Sequence, residues 1–212
     1  MKLLVLFSPL VVFLGVLIYG IVHSLLASTS VKSFVRRSFG SRTDLWYRLA
    51  FNILAIISLL PVLALPALLP DKTIYVITTP WIYLMLLGHV LAAGLLLVGL
   101  LQTGLWSFLG FRQFVNGGVR NETRMVVGGL YRFVRHPLYT AGLVFIWLAP
   151  VMTKNLFALN LGLSLYIVFG AYLEERRLEL EYGTAYNTYK KSTPMLVPFL
   201  GSRAGKDETV LE

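Results

Sequence analysis

The chain of 212 residues is 57% hydrophobic and only 14% charged, with a mean hydropathy of +0.73 and a formal net charge of +9. Soluble domains carry about a quarter charged residues, so the composition excludes an ordinary water-soluble fold. The lack of cysteine excludes disulfides, thiolate nucleophiles and thiolate metal sites, and basic residues flanking apolar runs account for the positive balance without a nucleic-acid partner.

Taken in order, the apolar runs predict an all-α integral membrane protein with about five transmembrane helices, at Leu3 to Ala27, Leu45 to Leu69, Ile74 to Leu101, Leu138 to Met152 and Leu156 to Leu173. Most approach or exceed the roughly 20 residues that cross a hydrocarbon core of about 30 Å. A basic cluster follows the first run instead of preceding it, so that run is expected to be a retained span and not a signal peptide.

The connecting segments hold their basic residues unevenly. Lys32, Arg36, Arg37, Arg42 and Arg48 lie in the first loop, Arg112, Arg120, Arg124, Arg132 and Arg135 in the third connection. Arg176, Arg177, Lys190, Lys191, Arg203 and Lys206 follow the last span, and only Lys2, Lys72 and Lys154 fall on the other side. The positive-inside rule then predicts an outside N-terminus and a cytoplasmic C-terminus. No repeat, low-complexity stretch or linker divides the chain, so a single membrane domain is expected. Within it fall the first three spans and their loops (1–124), a hairpin with a tail (125–200) and a polar end (201–212).

The fourth span is short, rising about 22 Å at 1.5 Å per residue. Either Arg135 and His136 sit below the headgroup level, or the turn at Thr153, Lys154 and Asn155 stops short of the far surface. The segment from Gly128 to Tyr139 ends in Arg135-His136-Pro137-Leu138-Tyr139. Pro137 disfavours helix at His136 and suits the first helical position, so His136 is expected at the cap. Unpaired N–H groups there, with Arg135 and His136, make a carboxylate site, although two interfacial basic anchors would read the same way.

A second cluster starts at Glu174-Glu175-Arg176-Arg177 and continues through Leu178, Tyr182, Ala185, Tyr186 and Tyr189. The spacing predicts a C-terminal amphipathic helix along the membrane surface, weakened at Gly183 and ended by Pro194. Surface pairing of Glu174 with Arg177 is the plainer alternative. Both clusters lie at one end of a helical hairpin, so opposite charges can line one pocket there, suited to a zwitterionic cofactor.

Arg135-His136-Pro137-Leu138-Tyr139-Thr140-Ala141-Gly142, then Glu174-Glu175-x-x-Leu178 and Tyr182-Gly183-x-x-Tyr186-x-x-Tyr189, resemble the isoprenylcysteine carboxyl methyltransferase and phospholipid methyltransferase superfamily over roughly Met125 to Pro198. Tyr19-Gly20-Ile21-Val22-His23-Ser24-Leu25-Leu26-Ala27-Ser28, Pro150-Val151-Met152-Thr153 and Pro194-Met195-Leu196-x-Pro198 are similar to its methanethiol S-methyltransferase, NnrU and nurim branch. The resemblance implies an S-adenosylmethionine-dependent enzyme that methylates a small thiol such as methanethiol and releases S-adenosylhomocysteine. Isoprenylcysteine carboxyl methylation and phospholipid N-methylation are the enzymatic alternatives, and a non-catalytic membrane scaffold is the alternative from another class.

On that resemblance, Gly129, Tyr131, Arg135, His136, Pro137, Tyr139, Gly142, Glu174, Tyr186 and Tyr189 are expected at the cofactor. Arg135 and His136 would hold its carboxylate, one of Glu174 and Glu175 would bind ribose or orient the acceptor, and catalysis would use Glu174, Glu175 or His136 to take the thiol proton or the cationic Arg135 to lower the thiol's pKa. The spans in 1–124 would shape the acceptor site. The protein is expected in the inner membrane of a prokaryote with its site facing the cytoplasm, where the charged cofactor resides. Its partners are the bilayer and a small thiol or lipid-borne acceptor, with no obligatory protein partner.

Three further residues are candidates for the acceptor. His23 lies in the first span, and Arg48 and Asn52 sit one turn apart at the start of the second. Interhelical hydrogen bonding and a snorkelling arginine are the plainer reading of them. His89 is expected to make an interhelical hydrogen bond, Gly117-Gly118 and Gly128-Gly129 to mark turns, and no metal site is expected from three histidines without cysteine.

Overall fold

The computed structural model describes residues 2–104 and 125–198. Arg112, Arg120, Arg124, the Gly117-Gly118 pair, Arg203, Lys206 and the polar end 201–212 lie outside them. In chain order the elements are α1 (Lys2–Ala27), α2 (Thr29–Phe39), α3 (Thr43–Leu68), β1 (Thr73–Val76) and α4 (Trp81–Thr103). A 3-10 turn (Gly129–Arg132), α5 (Pro137–Trp147), β2 (Val151–Thr153), α6 (Lys154–Tyr182) and α7 (Thr184–Ser192) follow.

Four helices are long and apolar enough to cross a membrane: Leu3–Ala27, Trp46–Leu68, Trp81–Thr103 and Lys154–Tyr182. Their outward faces expose large side chains such as Leu14, Ile56, Leu84 and Leu165, which only a lipid solvent tolerates over such an area. This is a multi-pass membrane protein. The fourth predicted span is a helix of 11 residues, rising about 16 Å, too short to cross by itself.

What completes that segment is a ribbon that hydropathy does not reveal. β1 and β2 pair antiparallel, with Thr73 opposite Thr153, Tyr75 opposite Met152 and Val76 opposite Val151. The third span accordingly begins at Trp81 and not at Ile74, because the β-branched and aromatic run Thr73-Ile74-Tyr75-Val76 satisfies its backbone in a ladder. Asp71 fastens this end by accepting from the backbone N–H of Lys72 and Asn155, while the buried Asn155 amide donates to Leu69 O and Pro70 O.

The core lies between α1, α3 and α6, at Val12, Val16, Val62, Ala158 and Leu159. Gly162 lets α1 come close, since a Cβ there would sit 3.0 Å from Val16 Cβ. Asn160 donates to Ile146 O at 2.7 Å and Trp147 to Ser164 Oγ at 2.8 Å, which locks α5 onto α6. His89 bonds Met85 O on its own helix and packs its ring against Phe145, so the expected interhelical hydrogen bond is replaced by an intrahelical one.

Beyond the bilayer length of α6, the predicted tail stripe divides. Leu178 and Tyr182 belong to the last turns of α6, whereas Tyr186 and Tyr189 belong to α7. Gly183 adopts φ +55°, which side-chain-bearing residues rarely take, and turns the chain between them. Tyr186 is buried by this turn, so α7 folds against the bundle.

Candidate active site

Pro137 occupies the start of α5 and His136 its cap position. The backbone N–H groups of Arg135 and His136 do not point at a vacant anion site. They donate to Pro194 O and Met195 O of the tail, at 2.8 and 3.1 Å, and Thr140 Oγ1 donates to Leu196 O at 2.6 Å. The segment after α7 is thereby laced along the start of α5.

The two acidic neighbours on α6 have different surroundings. A step of one residue on a helix turns a side chain by about 100°. Glu175 points inward and is 3% exposed, with Arg135 Nε donating to its Oε1 at 2.6 Å and Lys190 Nζ 3.3 Å from its Oε2. His136 Nε2 lies 3.3 Å from the same Oε1, yet outside hydrogen-bond geometry. Lys190 also binds Glu179 at 2.6 Å, and the Glu179 hydrogen bond is the main reason its ammonium is held above the usual lysine range. Arg135 Nη1 donates to Lys190 O and to Thr193 O.

Glu174 faces the other way, 46% exposed, and accepts a 2.7 Å hydrogen bond from Tyr139 OH. The Tyr139 ring stacks on His136 at 5.3 Å with planes 10° apart, and His136 Nδ1 lies 3.8 Å from Glu174 Oε2. Tyr139 therefore orients both a carboxylate and an imidazole toward one space.

That space is a cavity of about 410 Å³, within the range of roughly 300–1,000 Å³ that holds one small ligand. Its polar wall is made by Tyr131, Arg135, His136, Tyr139, Glu174, Tyr186 and Tyr189, and its apolar wall by Leu96 and Leu100 of α4 with Pro137, Leu138 and Leu178. Burial and Glu174 push the Tyr131 phenol up to about 12, and burial does the same for Tyr189. Both therefore keep their protons at neutral pH, and Tyr189 donates its own to Tyr131 O at 2.5 Å.

Two buried polar atoms on this lining lack a hydrogen-bond partner, His136 Nε2 and Tyr186 OH. Buried polar atoms are rarely left so; His136 Nε2 faces Glu175 behind the wall, which leaves the Tyr186 hydroxyl as the one of the two available to a polar ligand.

Among the sequence candidates, Glu175 stands behind the wall and not on it, while Gly129 and Gly142 are outside the lining. Gly129 adopts φ +62° with the Gln102 side chain directly over its Cα, and Gln102 Oε1 accepts from Leu130 N at 3.3 Å. It shapes the turn that carries Tyr131. His23, Arg48 and Asn52 also lie off the lining. His23 Nδ1 shares a 2.7 Å hydrogen bond with Tyr166 OH, inside a ring of Tyr19, Phe51 and Tyr166.

Sequence reasoning missed Lys190, Gln102, Leu96 and Leu100. Lys190 registered only as tail charge, and Gln102, an amide directly after an apolar span, was the signal available for its neighbourhood. No group of three or more metal-ligating side chains occurs among the described residues.

Residues 87–185 match the phospholipid methyltransferase family. This stretch contains the apolar wall on α4, the Arg135-His136-Pro137 corner and the Glu174-Glu175 pair. Among curated proteins, the chain is 35% identical over 74 residues to "Methanethiol S-methyltransferase" of Crocosphaera subtropica, 35% of this chain and 29% of the relative. It is 36% identical over 102 residues to "Methanethiol S-methyltransferase 2" of Bradyrhizobium diazoefficiens, 48% and 38% of the two chains. The value for the Pseudomonas deceptionensis "Methanethiol S-methyltransferase" is 37% over 79 residues, 37% and 30%. The matches thus span about a third of the length of these relatives. No solved structure matches the chain. The chain is thus similar over residues 87–185 to the phospholipid methyltransferase family, and over stretches of 74 to 102 residues to methanethiol S-methyltransferases.

Proposed function

We propose that this protein is a membrane S-adenosylmethionine-dependent methyltransferase that S-methylates a small thiol such as methanethiol, giving dimethyl sulfide. The observation that carries the reading is the two-sided cavity, with ionisable and hydroxyl groups on one wall and leucines on the other. Its residues fit the cofactor, which when bound supplies a methyl group on a positively charged sulfonium. Arg135 and His136 suit its carboxylate, the carboxylate of Glu174 suits ribose hydroxyls, and the unpartnered Tyr186 hydroxyl adds a donor. Tyr131, Pro137, Tyr139 and Tyr189 enclose it, and Gly129 with Gly142 serve the backbone around it.

For the acceptor, Leu96, Leu100 and Leu138 offer an apolar surround that excludes water and favours a small apolar thiol. The thiolate is the effective nucleophile, so a proton must leave the acceptor. Two cationic groups, Arg135 and Lys190, hold Glu175, which makes it a poor proton acceptor. His136 and Glu174 are the groups on the lining able to take that proton. We assign His23, Arg48 and Asn52 to the acceptor's approach between α1 and α3, supported by the polar His23–Tyr166 pair within aromatic rings. The pocket is assigned to the cytoplasmic face of a prokaryotic inner membrane, supported by the excess of basic residues at that end.

A lipid-borne acceptor is the second reading, favoured by the family match and by the place of Leu96 and Leu100 on a lipid-facing helix. Calorimetric titration with S-adenosylhomocysteine is expected to show saturable binding, and an absence of heat at millimolar ligand would sink both readings. A labelled-methyl assay with methanethiol, a prenylated cysteine and a phospholipid then ranks the acceptors. Methanethiol is expected to be labelled fastest, and preference for either lipid would replace the thiol reading.

A further inference from the structure

The cavities, ionisable clusters and exposed faces outside the pocket leave one element without a structural explanation. α2 runs from Thr29 to Phe39, and none of its 11 residues is buried. Isolated helices of this length are marginal in water, and although α2 touches α1 and α3 it buries none of its residues fully, so its apolar face calls for a further surface. Val31, Phe34, Val35 and Phe39 fall on one face at helical spacing, and Phe34 and Phe39 are 61% and 72% exposed. Lys32 and Arg36 flank that face on one side and Arg37 on the other.

The position of α2 states what that surface is. Ser28 caps it one residue after the first span ends, with Oγ accepting from Val31 N at 3.3 Å. The neighbouring span ends are tied together, because Tyr47 OH donates to Leu26 O at 2.6 Å and Arg177 donates to Ala27 O at 3.3 Å. Arg177 follows Glu174 and Glu175 on α6, so α2 lies at the pocket end of the bundle, level with the span termini. A helix at that level, apolar on one face and basic on its flanks, has the character of an interfacial helix.

We propose that α2 lies in the headgroup region of the leaflet on the pocket side, with Phe34 and Phe39 in the acyl boundary and Lys32, Arg36 and Arg37 engaging anionic phospholipid headgroups. Phosphate oxygens match both guanidinium and ammonium donors, and the opposite charges hold the helix to its surface. This role is independent of which methyl acceptor the pocket takes.

The natural absence of cysteine allows single-site labelling. Phe34→Cys, Phe39→Cys and, on the polar face, Ser33→Cys are labelled with an environment-sensitive fluorophore in nanodiscs of phosphatidylcholine with phosphatidylglycerol. Labels at 34 and 39 are expected to emit blue-shifted light and to be quenched by nitroxide-bearing lipids, while the label at 33 stays water-like. Nitroxide phosphatidylglycerol should quench at 34 at least threefold more than nitroxide phosphatidylcholine, against the roughly fivefold enrichment that one surface cation supplies. Lys32→Gln with Arg36→Gln and Arg37→Gln should equalise the two lipids. Equal behaviour of labels at 33 and 34, shielding without lipid quenching, or no preference for the anionic lipid in the native chain would each overturn the proposal.

Discussion

Arg135 and Glu175, forty residues apart in the chain, meet at 2.6 Å with side chains 8% and 3% exposed. The pair joins the start of α5 to the end of α6, and Lys190 brings α7 to the same carboxylate. One buried charge centre therefore holds three segments that form the pocket wall. Removing one member of such a pair strands the others away from water, which costs far more than the pair itself contributes.

Glu175→Gln is accordingly expected to destabilise the protein by about 3–5 kcal/mol. The thermal midpoint in detergent should fall by roughly 10 °C. Combining Arg135→Met with Glu175→Leu should recover much of that loss, because no buried charge is then left alone. A thermal midpoint for Glu175→Gln equal to that of the native chain would contradict the structural role.

Glu174→Gln should behave in the opposite way. Its carboxylate is half exposed and bonded to Tyr139, so the midpoint should stay within about 2 °C of native, the scale of an ordinary surface substitution. Calorimetry should show S-adenosylhomocysteine binding about tenfold weaker, the scale of a lost charge-assisted hydrogen bond. If both glutamine variants change stability and binding alike, the two residues do not have separate tasks.

Tyr186→Phe tests the unpartnered hydroxyl. Deleting a buried group that has no partner should leave stability unchanged or raise it by up to about 1 kcal/mol. S-adenosylhomocysteine affinity should fall about fivefold to tenfold, as expected for one neutral hydrogen bond. Unchanged affinity removes Tyr186 from the ligand contacts.

The pH dependence of tail docking follows from groups that all shift upward. Tyr131 and Tyr189 are raised to about 12, and Tyr186 and Lys190 are raised as well. A folded-state value above the unfolded one means that the stabilisation is fully present below the unfolded value and is lost as pH rises through the folded value. These groups should therefore cause no loss of S-adenosylhomocysteine binding between pH 7 and 9, and a progressive loss above about pH 10. In Lys190→Met the binding should be weaker at pH 7 and closer to native at the alkaline end. A loss already complete by pH 9 in the native chain would show that other groups govern docking.

The membrane class and the approximate spans were legible in the sequence because hydropathy is additive along a helix and needs no knowledge of neighbours. The Arg135-His136-Pro137 corner was legible as well, since Pro137 restricts its own backbone and that of His136 locally. The ribbon between β1 and β2 was hidden, because an apolar β-branched run reads alike in a strand and in a span.

By itself, then, the sequence determined that the chain lives in lipid, where its polar clusters fall, and which end of the hairpin gathers them. Only the tertiary structure decided which of two adjacent glutamates faces the cavity and which is locked behind it. The reason is geometric: neighbours on a helix diverge by about 100°, and what each one meets depends on elements that come from elsewhere in the chain. For Glu175 those elements carry Arg135 and Lys190, and for Glu174 they bring Tyr139 and the open pocket.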